Sequence, residues 1–182
     1  MKMKEQRYLE LLKDNKLEQL KELLETTIRD NLALKTNNKS RVNAIKRILK
    51  SKVIKERPKL QGCGVLDDKY VFTDTYQLAV INDSLGYEVK EDFPDVKSLC
   101  DRFMQSATML YVDLEDLLYC YKVKEDYKNA YFNNITFDYN YLKNAIDVMG
   151  KDTKIYTNDE KNVLIFRNSN DEMFIVMGKK TY

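Results

Sequence analysis

Residues 57–82 read RPKLQGCGVLDDKYVFTDTYQLAVIN, and this stretch decides the fold. Arg57-Pro58 opens a strand-like run that ends at Gly62-Cys63-Gly64. Asp67-Asp68 then supplies a turn, because aspartate side chains accept hydrogen bonds from nearby backbone amides. A second strand-like run follows and ends in Thr73-Asp74-Thr75-Tyr76-Gln77-Leu78-Ala79. Two such runs around an acidic turn predict antiparallel strands, over roughly 59–66 and 69–81, with a further strand near 86–90.

Working outward, residues 3–36 predict helix. Leu17, Leu20, Leu24 and Ile28 recur at spacings of three and four, which makes one apolar stripe. Asp14-Asn15 offers a break and N-cap, so the segment reads as either a helical hairpin or a single long helix. The stripe serves either to dock this segment on the core or to bind a partner or a second copy. After the polar Asn37-Asn38, a helix from Ser40 to about Lys52 places Val42, Ile45 and Leu49 on its inner face, and Pro58 ends the segment. A helix over Pro94–Gln105 turns Val96, Leu99 and Phe103 inward. A short helix follows Asp113, and 123–134 read as a polar loop. Asp138 caps a last long helix that Gly150 closes, and strands near 152–157, 162–167 and 172–178 complete the pattern. Helix followed by strands thus occurs twice, at 40–90 and at 138–178.

Composition removes several chemistries. The 182 residues suffice for one compact domain and an appendage, and 43% hydrophobic content permits a core. No apolar run approaches the ~20 residues that span a bilayer. The N-terminal MKMKEQRYLELLKDN is amphipathic and charged from its start, so a cytoplasmic protein is expected. There is no histidine, which excludes histidine-based triads, dyads and zinc motifs. Cys63, Cys100 and Cys120 form no C-x-x-C pair, and five glycines make no phosphate-cradling loop. No cofactor and no metal is expected. Pro94-Asp95 with Asp126-Tyr127-Lys128 fits a loose nuclease pattern of two carboxylates and a lysine, a match that a chain with 29 acidic residues produces easily by chance.

The residues of 57–82 resemble the hairpin of bacterial β sliding clamps, whose usual wording is close to RP-x-L-x-G followed by TDGYRLA. Phe93-Pro94-Asp95, the run Val112–Leu118, Phe137–Ile146, Val163–Phe166 and Phe174–Gly178 resemble further clamp segments, in clamp order. The resemblance implies an α+β fold: a DNA-clamp-like domain over 38–182, with helices on a curved antiparallel sheet, preceded by an N-terminal helical segment over 1–37. This chain departs from the pattern at Thr75, Gln77 and Gly178, where clamps carry glycine, arginine and proline. A clamp subunit has three such domains and this chain has room for about one.

Charge is unevenly spread. Residues 35–59 hold ten basic residues against Glu56 alone, whereas 67–116 hold twelve carboxylates against Lys69, Lys90, Lys97 and Arg102. The resemblance puts the basic segment on a helix that would line a clamp's DNA hole. Lys39, Arg41, Lys46, Arg47, Lys50, Lys52, Lys55 and Arg57 are therefore candidate contacts to a nucleic acid or a partner, with electrostatic, sequence-blind binding expected. Asp67, Asp68, Glu88, Glu91 and Asp92 form a candidate acidic partner surface. Replacing Lys46, Arg47 and Lys50 by Glu is expected to abolish binding and leave the melt nearly unchanged.

The whole chain, with its opening MKMKEQRYLELLKDNKLEQLKELLETTIRDN, also resembles phage anti-CRISPR proteins directed at type II RNA-guided nucleases. That resemblance implies a non-enzymatic inhibitor, a monomer or homodimer, that holds the nuclease and its guide RNA so that target DNA is not engaged or cut. The clamp resemblance implies instead a DNA-binding accessory protein of phage replication.

Overall fold

A computed structural model describes residues 8, 11–12, 16–35, 38–111, 129–132, 135–150 and 152–179. The helix expected after Asp113, most of the loop expected over 123–134, Cys120 and the Asp126-Tyr127-Lys128 part of the nuclease pattern lie outside these residues.

Among the described residues the helices are α1 (Leu17–Lys35), α2 (Lys39–Leu49), α3 (Lys52–Glu56), α4 (Lys97–Met104) and α5 (Tyr139–Met149). The strands are β1 (Gly64–Leu66), β2 (Lys69–Thr73), β3 (Gln77–Ile81), β4 (Thr108–Leu110), β5 (Asn129–Phe132), β6 (Ile135–Asp138), β7 (Thr153–Asn158), β8 (Val163–Asn168) and β9 (Met173–Met177). Seven strands form one antiparallel sheet in the order β1-β2-β3-β9-β8-β7-β4, and β5 and β6 form a separate pair. The fold is α+β. The β3–β9 pairing, with Ala79 opposite Phe174, joins the two halves of the chain into one sheet.

Both faces of the sheet are covered. Strand side chains alternate between faces, so Ala79 and Ile81 of β3 point to one core while Leu78 and Val80 point to the other. The first core receives Val42, Ile45 and Ile48 of α2 and Leu142, Ala145 and Val148 of α5, against Phe72, Phe166 and Phe174. The second receives Val96, Cys100 and Phe103, at the start of α4 and on it, against Val71, Ile165 and Ile175. Two-sided burial explains why β3 and β8 read as continuous apolar runs. Helices α2 and α5 cover one face and α4 the other.

Local chemistry moved several boundaries. The strand expected over 59–66 is shortened to Gly64–Leu66, because Pro58–Leu60 forms a 3₁₀ turn. Proline suits the first position of such a turn, having no amide hydrogen to satisfy. The run expected over 69–81 is two strands, since the Asp74 carboxylate caps the amides of Tyr76 and Gln77 and folds the chain back. No strand forms over 86–90, where Val89 makes a single bridge to Cys63. The helix expected from Pro94 starts at Lys97, whose amide is taken by Asp95 Oδ1 at 2.9 Å. Asp138 caps α5 through the Asn140 amide, and Gly150 closes it at φ 79°, as expected. Strands β4, β5 and β6 were not anticipated.

The α1 stripe faces the other way from a docking surface. Leu17, Leu24 and Ile28 are 63%, 46% and 63% exposed. The helix is attached largely by polar groups. Arg29 is buried over the Tyr87 ring at 4.3 Å and reaches Gly86 O, while Asp30 pairs with Lys46.

Candidate functional site

The β2–β3 hairpin and the segment that leads into it line one side of a groove. At its turn the Thr73 hydroxyl donates to Gln77 O at 2.7 Å and accepts from the Thr75 amide at 3.0 Å. Asp74, fully buried, accepts from the Tyr76 and Gln77 amides and, at 2.9 Å, from Gln77 Nε2. Burial raises the Asp74 carboxyl above the usual range against the pull of these hydrogen bonds. The chain of contacts continues outward. Gln77 Oε1 accepts from Asn144 Nδ2 at 3.0 Å, and Asn144 Oδ1 accepts from Arg47 Nε at 2.7 Å. The hairpin turn is thereby locked to α5 and α2, as a buried polar network must be if none of its groups is to stay unpaired.

The groove on the α4 side of the sheet has a volume of about 520 Å³. Leu78 of β3 and Ile175 and Met177 of β9 lie along it. Val96, Leu99 and Phe103 form the helix wall, with Pro58 and Leu60 opposite. Its lining is mostly aliphatic and aromatic, and its rim carries Glu56, Arg57, Lys59 and Asp95. Thr73 and Gln77 reach the groove, but the Thr73 hydroxyl and the Gln77 amide are bonded within the hairpin and to α5. A size of a few hundred Å³ with few polar groups suits apolar side chains better than a charged head group.

The expected site residues fall elsewhere. Lys39, Lys50, Lys52, Lys55 and Arg57 are exposed, and of the expected residues Arg57 alone borders the groove. Arg41 donates Nε to Val148 O at 2.9 Å and clasps Glu172 with its other two nitrogens at 2.8 and 2.7 Å. Lys46 pairs with Asp30, and Arg47 bonds Asn144 and Asp147. These three cations are engaged in contacts within the chain, although Arg47 itself stays exposed. The expectation that Lys46, Arg47 and Lys50 could be reversed without affecting the melt is therefore corrected. On the acidic side all five carboxylates are exposed, and Asp67 meets Lys97 at 3.0 Å, Glu88 meets Lys90 at 2.9 Å and Asp92 lies 3.9 Å from Lys59.

Among the described residues no group of three or more Cys, Asp or Glu side chains is placed to hold a metal ion. Cys63 and Cys100 are buried, and burial pushes both thiols up to about 11, so neither is an activated nucleophile. No helix among the described residues is long and apolar enough to cross a membrane. What sequence reasoning missed is the groove wall, because Leu99 and Phe103 read there as inward helix positions and Ile175 and Met177 as part of a closing strand. The signal was the hairpin itself, whose Thr73–Leu78 segment supplies groove residues.

The class defined by this architecture is an α+β protein with a two-faced antiparallel sheet and an apolar groove between the sheet and α4. The chain matches no family model, and no curated protein and no solved structure is similar to it.

Proposed function

We propose that this chain is a non-enzymatic binding module that holds an extended apolar segment of a partner protein in the groove beneath α4. The groove carries the reading. Its floor and walls offer aliphatic and aromatic contact, its deeper polar side chains are bonded within the chain, and its rim bears both charge signs. A peptide supplies apolar side chains to such a lining while its own backbone stays partly solvated at the rim. The clamp-like reading of the sequence belongs with this proposal, since the hairpin that motivates it contributes Thr73, Thr75, Gln77 and Leu78 to the groove. The partner is then a component of a replication machine. The exposed lysines Lys39, Lys50, Lys52 and Lys55 supply a sequence-blind attraction to nucleic acid.

The test is binding of peptides selected from a short random-peptide display library, measured by fluorescence polarisation on the intact chain. Binding that is lost in Leu99→Lys, a half-buried wall position, supports the groove. Binding that is insensitive to this change overturns it. The inhibitor reading uses occupancy too, with an RNA-guided nuclease as partner. Titration into a guide-loaded type II nuclease, reading target cleavage and co-elution, distinguishes it: stoichiometric inhibition selects the inhibitor, and its absence across several nucleases selects the replication partner.

A further inference from the structure

One residue on the groove holds a backbone conformation that its side chain resists. Among the described residues five non-glycine positions have positive φ: Asp67, Thr75, Leu85, Asn162 and Asp171. Aspartate and asparagine tolerate this region. Leu85 is held there by its core position and by the hydrogen bond its amide donates to Asp83 Oδ1 at 2.8 Å. Thr75, at φ 81°, is the β-branched member of the set, and a β-branched side chain is the kind most opposed to this conformation. Glycine would take it without strain. Such outliers persist when the surroundings enforce them, and they concentrate at ligand clamps.

The surroundings here enforce it. The Thr75 amide is bonded to Thr73 Oγ1, and Asp74 and Gln77 pin the turn on either side. Thr75 lines the groove and is half-buried, while its own hydroxyl has no hydrogen-bond partner among the described residues. It is set beside Thr73 and Gln77, whose side-chain polar atoms are committed within the chain.

We infer that Thr75 is the specificity-determining residue of the groove: its hydroxyl is the polar handle for the backbone of a bound extended peptide, and its methyl narrows the groove where glycine would leave it open. This rests on the peptide-binding reading above. A hydrogen bond to a ligand at a largely apolar site discriminates well, because a ligand without the matching group leaves the hydroxyl desolvated and unpaired.

The experiment uses the full chain and a synthetic peptide taken from the display selection. Thr75→Ser and Thr75→Ala differ only in the hydroxyl and both lack the branch, so they are the informative pair. The serine variant should bind more tightly than the alanine variant by roughly two- to tenfold, with equal melting temperatures. Thr75→Gly should melt about 2–4 °C higher than the parent chain, by release of strain, and should select a different set of peptides from the same library. Equal binding by the serine and alanine variants, with Leu99→Lys still abolishing it, overturns the inference and leaves the groove reading standing. Failure to recover any peptide that Leu99→Lys blocks overturns both.

Discussion

Arg41 and Glu172 form a two-pronged ion pair, with guanidinium nitrogens 2.8 and 2.7 Å from the two carboxylate oxygens. The carboxylate side chain is only 2% exposed and also accepts from the Asn82 amide at 3.1 Å and from Asn168 Nδ2 at 2.8 Å. The pair ties the first helix of the core to the turn between β8 and β9. Removing the arginine alone leaves a buried, uncompensated charge. Arg41→Ala is expected to lower unfolding free energy by about 3–5 kcal/mol, read by chemical denaturation. Burial alone would push the Glu172 carboxyl up, but the hydrogen bonds from Arg41, Asn168 and Asn82 together hold it below the usual range. The resulting stabilisation is present above the unfolded value of 4.5 and is lost as pH falls through the lower folded value. That acid loss should be smaller in Arg41→Ala.

Asp74 behaves in the opposite sense. Its carboxyl is raised by burial from an unfolded value of 3.8, so the folded state holds its proton more tightly. The contribution of Asp74 is greatest at low pH and falls as pH rises from the unfolded value through the folded one. Asp74→Asn removes the titration, and the stability difference between parent and variant should shift against the parent as pH rises through that window. Denaturation curves at a series of pH values check the sign.

The link from that turn to the helices can be cut at one residue. Asn144→Leu leaves Gln77 Oε1 and Arg47 Nε without their partner. The expected cost is about 1–3 kcal/mol, the penalty for stranding buried polar groups. Thermal or chemical denaturation measures it, and hydrogen exchange at the Tyr76 and Gln77 amides should accelerate with it.

Groove occupancy has a direct optical test. Binding of the dye 8-anilinonaphthalene-1-sulfonate to the folded chain should be weakened at least several-fold by Met177→Glu, which puts a negative charge on the half-buried β9 position of the groove and repels the dye's sulfonate. The circular dichroism spectrum should be retained.

The basic segment divides into two sets with separable effects. Reversing the exposed Lys39, Lys50, Lys52 and Lys55 to Glu should leave the melt within a few degrees of the parent while reducing binding to a duplex DNA probe and flattening its salt dependence. Reversing Lys46 and Arg47 should lower the melt, since their partners Asp30 and Asp147 would then face like charge. Filter binding at several salt concentrations and a thermal scan distinguish the sets.

Much of the architecture was legible in the residues alone. The helical spacing of Val42, Ile45 and Leu49 and the capping pair Asp138 and Gly150 announced α2 and α5. The apolar runs around 163 and 173 announced the closing hairpin. These features are local: periodicity, caps and turns depend on neighbours a few positions away. Strand β4 was not legible, because three residues make no period, and its partner Ile155 lies 45 positions beyond Leu110. The direction of the α1 stripe was not legible either. Its spacing defines a face, and only the neighbouring Tyr87 and Lys46 decide that Arg29 and Asp30, not Leu24 and Ile28, turn toward the body.

The same division holds for charge and for the groove. The order of residues suffices to exclude histidine chemistry, to place an antiparallel hairpin in the middle of the chain, and to gather positive charge between 35 and 59. Which cations are engaged within the chain depends on the packed fold, because Arg41 meets Glu172 across 131 positions. It alone decided that Leu78, Leu99 and Met177 share one groove. Long-range pairing and two-sided burial are properties of the packed sheet, where residues distant along the chain compete for the same face, and no window of sequence contains that competition.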